Sequence, residues 1–209
     1  MALSINNISN IINTATDLQN ALTAVKDKLL NNPNEASEKL ADVIGELSHI
    51  LEFVEKETVS FLEIIFLPDK SNFIECRSAL LRLESGYVTI KGYEARGHCH
   101  KISNIYDKYL NRWFSKVLDP QEAQNLEINF DNMSNADFDM VDGIQDLTDW
   151  LKDESANILR MIDLDNIDGA NDRIKGARLE IQLVRRDIVE ALANLKLLQA
   201  SFIASSQTV

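Results

Sequence analysis

The chain has 209 residues, 45% of them apolar and 26% charged, with two cysteines and a formal charge of −12. That length supports one hydrophobic core without a disulfide or metal staple, and Cys76 and Cys99 alone make no disulfide framework. The acidic balance argues against a nucleic-acid partner, because binding phosphate takes a basic footprint.

Residues Met1 to Asn7 show no basic stretch ahead of an apolar one and do not read as a secretory signal. The longest apolar patch, 59–67, is broken by Ser60 and Glu63 and is far shorter than the ~20 residues of a membrane span. A cytoplasmic protein with no membrane partner is the expectation. Without a secretory signal, the acceptor patterns at Asn7 and Asn132 carry no weight.

In chain order, Ile8, Ile11, Ala15, Leu18, Leu22, Val25 and Leu29 place one apolar stripe on a first helix, which Asn31-Asn32-Pro33-Asn34 ends. Asn34 caps a second helix of about thirty residues, striped by Leu40, Ile44, Leu47, Leu51, Val54, Thr58, Leu62 and Ile65 and stopped at Pro68. The next stripe runs from Phe73 to Trp113. Gly86, Gly92 and Gly97 interrupt it, and at ~1 kcal/mol each against alanine they predict a kink or short loop within 85–97 and two helical pieces.

Asp119-Pro120-Gln121-Glu122 is a helix start, with Asp119 as cap, Pro120 at the first helical position and Glu122 closing a capping box. It predicts a short helix to about residue 132, with Ser134 capping another that runs over Phe138, Val141, Ile144, Leu147, Leu151, Ile158 and Ile162. A turn over 163–169 precedes a last long helix carrying Ile174, Ala177, Ile181, Val184, Ile188, Leu192, Leu195 and Phe202. Its aspartates do not form a calcium loop, since the twelfth position from Asp163 is Ile174 where a bidentate glutamate is needed.

Charge alternates along the chain: −6 over residues 1–70, +4 over 71–118, −11 over 119–165 and +1 over 166–209. Acidic helices gain by lying beside basic ones, so the blocks select neighbours within a bundle.

Two constellations carry possible chemistry. Tyr106, Tyr109, Trp113 and Phe114 lie on a wide apolar face, which serves either as the plug of a core or as a contact for a partner. Glu46 and His49 have the E-x-x-H spacing of di-metal carboxylate bundles, which need a second such pair and two further glutamates. Glu94 with His98, together with Glu57 and Glu154, are the nearest substitutes. Their plainer reading is an ion pair inside the bundle, with Arg178 or Arg185 opposite Glu94 and His98. His98-Cys99-His100 lacks the paired ligands of a structural zinc site.

The sequence thus predicts one domain over 1–209, an all-α, elongated, mostly antiparallel helical bundle of five to seven helices. Its favoured function is a non-enzymatic interaction module or scaffold that needs no cofactor. Tyr106, Tyr109, Trp113, Phe114, Asp139, Asp142, Asp146 and Asp149 are the candidate contacts for a protein partner of basic character. A second subunit is a candidate cover for the apolar residues 61–67, giving a homodimer. The alternative is a carboxylate-bundle metal protein of the ferritin-like di-metal oxidase class, using Glu46, His49, Glu57, Glu94, His98 and Glu154.

Overall fold

Among the described residues, the amphipathic stripes lie on helices that turn them inward. The computed structural model describes residues 6–64 and 87–206, without the side chains at 6–8, 57–64, 87–95, 137–141, 143–145, 147–148 and 151–152. The stop at Pro68, the apolar run 61–67, the stripe from Phe73 to Gly86 and Cys76 lie outside what is described.

Among the described residues six helices follow one another: α1 (Asn6–Leu30), α2 (Glu35–Ile64), α3 (Tyr87–Ile105), α4 (Asn111–Val117), α5 (Pro120–Asp163) and α6 (Ile167–Ser206). A π-helical turn over Tyr106–Leu110 joins α3 to α4. No strand occurs among the described residues. The fold is an all-α bundle, elongated because α5 alone spans 44 residues, ~66 Å at 1.5 Å per residue.

Neighbouring helices run antiparallel. α1 packs on α5, α5 on α3, α3 on α2 and α2 on α6, while α6 returns to touch α1 and α5. Lys28 at the end of α1 reaches Glu122 at the start of α5 at 2.5 Å, and α2 meets α6 in reverse order through Ala41–Gln199 and Glu55–Arg185. Gly45 lies at the α2–α6 seam, where an added Cβ would stand 2.9 Å from Gln199 Nε2.

Among the described side chains, the core is drawn from the predicted stripes. Leu18, Leu22 and Leu29 of α1, Leu40, Ile44 and Leu47 of α2 and Ile174, Ile188 and Leu195 of α6 are fully enclosed; burying one such side chain contributes ~1.5–3 kcal/mol.

Three expectations need correction. No break separates a short helix ending near 132 from one capped by Ser134, because Leu126, Phe130, Met133 and Ala136 are buried at helical spacing straight across that boundary. The 87–97 stretch is helical, with Gly92 and Gly97 inside α3; a Cβ at Gly97 would meet nothing, so no packing demands a break there. The irregularity falls instead at 106–110, where the Asn111 N–H donates to the Tyr106 carbonyl five residues back. The turn between α5 and α6 is shorter than 163–169: Asp165 takes a positive φ of 58°, and Asn166 Oδ1 accepts the Gly169 N–H at 3.1 Å to cap α6.

Charge alternation selects neighbours only in part. α1 and α5 both come from acidic blocks and yet pack together, because α1 itself is neutral, with Asp17 and Asp27 against Lys26 and Lys28. The α5 start is as predicted: Asp119 Oδ1 accepts from the Gln121 and Glu122 N–H groups, and Glu122 Oε2 accepts from the Asp119 N–H. One further feature of α6 is a stretch of mean hydropathy 1.2, only 33% buried, which meets the length and composition of a membrane span; helices of soluble cores pass the same test.

Candidate functional site

The side chains that converge most closely lie on the α2–α3 seam. Glu46 and His49 are three residues apart on α2, so both project from one face of the helix. α3 brings His98 against them, and ligand atoms of Glu46, His49 and His98 all lie within 4.8 Å of one another. The Glu46 carboxylate bonds to Nδ1 of His98, and the rings of His49 and His98 stand 5.3 Å apart at 59°. Lys101, one turn beyond His98, places Nζ 3.4 Å from Glu46 Oε1.

Burial would raise the pKa of Glu46, but the His98 hydrogen bond and the Lys101 charge outweigh it and hold the carboxyl below its ordinary range. The carboxylate is therefore ionised and ready to ligate at neutral pH. Glu46 and His98 are partly buried and His49 is exposed, which leaves the cluster open on one side. A groove of about 410 Å³ between α2 and α6 runs beside it, lined by Glu46, His49, Glu52 and Lys196.

The remaining metal candidates do not join this group. Glu154 is held elsewhere, by Arg173 of α6, and the side chains of Glu57 and Glu94 lie outside those described. Of the two arginines expected opposite Glu94 and His98, Arg185 bonds instead to Glu55 at 3.0 Å, and His98 meets Glu46. Cys99 is buried in the core, away from the cluster.

The aromatic face is interior. Tyr106, Trp113 and Phe114 are 5%, 4% and 1% exposed, and Tyr106 stacks on Phe130 of α5 at 4.4 Å. They plug one end of the core, so the expectation of a partner contact made by these three is corrected. Only Tyr109, 49% exposed, remains at the surface, because the π turn alters the register at which residues 106–110 face the core. Asp142, Asp146 and Asp149 are exposed along α5, and the side chain of Asp139 lies outside those described.

Sequence reasoning paired His98 with Glu94 and missed Lys101. The contact between Glu46 and His98 spans 52 residues, and helical spacing within one segment does not report which segments meet. No family model, curated protein or solved structure matches the chain.

Proposed function

We propose that this chain is a metal-binding helical bundle that holds one divalent transition-metal ion on Glu46, His49 and His98. The observation that carries the reading is the convergence of two imidazoles and one carboxylate, from two different helices, within 4.8 Å. Two nitrogen donors and one oxygen suit zinc, nickel, copper or iron(II), whereas calcium and magnesium favour all-oxygen sets. Three protein ligands with an open side leave a coordination position for solvent or a small molecule. Lys101 keeps Glu46 ionised and would turn to solvent as the metal takes up the carboxylate's charge. The described residues supply one such set, so the reading is a single-metal site and not the di-metal centre of the oxidase class.

Isothermal titration with zinc, on protein purified without chelator or affinity metal, tests it. One equivalent bound with saturation is expected, weakened about tenfold or more by His49→Ala and by His98→Ala, as for the loss of a ligand bond. Saturable binding that both substitutions leave unchanged would exclude the site.

A scaffold offering an acidic face to a basic partner is the second reading. Asp142, Asp146, Asp149 and Asp153, all exposed, recur on one side of α5 and favour it. Reversing all four to lysine is expected to abolish salt-sensitive binding of a lysine-rich peptide, while four reversals on α6 leave most of it. Equal losses from the two sets would reduce the effect to net charge alone.

A further inference from the structure

At one end of the bundle, the start of α2, the π turn and α4 enclose an open groove of about 930 Å³. Lys39, Lys108, Arg112 and Lys116 line it in a protein whose formal charge is −12. Lys108, Arg112 and Lys116 recur every four residues, so they stand in a row. All three are exposed, and among the described residues no carboxylate pairs with them. Lys39 is committed to Asp42 at 3.0 Å and lies 5.9 Å from the centre of the Tyr109 ring. Glu35 and Glu38 line the opposite side and set a limit on how many charges of an anion the groove can meet.

Trp113 also lines the groove and is only 4% exposed, so its indole lies directly beneath the wall and reports what the groove holds. The π turn of Tyr106–Leu110 lies along the same wall and leaves Tyr109 outside the core with an exposed ring. Such turns recur at binding sites.

We propose that this groove binds a polyphosphate-bearing small molecule, with Lys108, Arg112 and Lys116 on the phosphate oxygens. Three cations in a row match a chain of linked phosphates better than a single carboxylate, and Arg112 can engage two oxygens at once. The exposed face of Tyr109 is a stacking surface for a base, if the phosphates belong to a nucleotide. The site is separate from Glu46, His49 and His98 and shares no residue with them.

The chain has two tryptophans, Trp113 and Trp150, and so two indole N–H resonances, which Trp150→Phe assigns. The test is titration of nitrogen-15-labelled protein with inorganic tripolyphosphate, with ATP in the absence of metal, and with adenosine. Tripolyphosphate is expected to move the Trp113 indole resonance saturably and leave that of Trp150 in place. Arg112→Gln, at an exposed position that leaves the helicity unchanged, weakens the binding about tenfold or more, as for the loss of a charge-assisted pair. Equal affinity for ATP and tripolyphosphate assigns recognition to the phosphates alone, and tighter ATP binding adds the base on Tyr109. The proposal is overturned by a Trp113 resonance that moves only as it does with sodium chloride of equal ionic strength. Binding of adenosine as tight as that of ATP, or a full response in Arg112→Gln, overturns it too.

Discussion

Arg173 grips Glu154 with two nitrogens, Nε at 2.6 Å from one carboxylate oxygen and Nη2 at 2.8 Å from the other. This fork ties α5 to α6 about two turns from their connection, and it consumes a glutamate that a di-metal core would need. Glu154 is 8% exposed. Arg173→Met leaves its carboxylate without a partner and is expected to cost about 1–3 kcal/mol in urea unfolding. Adding Glu154→Leu recovers most of that loss, because the burden is the orphaned charge and not the absent attraction. A double variant less stable than the single one would contradict this.

Phe114 offers a sharp distinction between core and interface. It stands 6.1 Å from Phe130 and 5.5 Å from Trp113, 1% exposed. Phe114→Ala is expected to cost about 3–5 kcal/mol of folding stability. A partner-facing aromatic would instead leave the melting of the isolated chain nearly unchanged, and calorimetry separates the two.

Tyr106 gives the fold an alkaline limit. Burial first, then the carboxylates of Glu127, Asp131 and Asp107, push its hydroxyl up to about 12. An unfolded tyrosine ionises near 10, so the unfolded chain releases this proton first. The contribution to stability is whole below about pH 10 and is lost as pH rises toward 12. Ultraviolet titration should show one phenol ionising late, and Tyr106→Phe should remove that late step.

Asp119 anchors the start of α5, accepting two backbone N–H groups while Lys28 of α1 reaches it at 3.4 Å. Asp119→Ala is expected to lower the melting temperature and Asp119→Asn to lower it less, since asparagine also caps. Identical melting of all three proteins would show that the capping box adds nothing.

Helix existence was legible in the stripes, and the Asp119-Pro120-Glu122 start was legible to the residue. Two signals misled. Asn132-Met133-Ser134 looks like a break by local propensity, but Met133 has a place in the core and packing overrides it. Gly92 and Gly97 look like a kink, yet an open surface at Gly97 asks nothing of a side chain. The π turn has no composition signature at Tyr106–Leu110, so Tyr109 was placed on one face with Tyr106, Trp113 and Phe114. Two of the three residues of the candidate centre, Glu46 and His49, were visible as a spacing on one helix. The contact of His98 with Glu46 was not, because it depends on which helices are adjacent and that is set by the whole bundle.

The most direct measurement is anomalous diffraction at the zinc edge from crystals grown with zinc. The metal reading predicts one peak at the α2–α3 seam, ~2.0–2.2 Å from a nitrogen of His49, a nitrogen of His98 and an oxygen of Glu46. A map without that peak, or with zinc held only by surface aspartates such as Asp142 and Asp146, would contradict it.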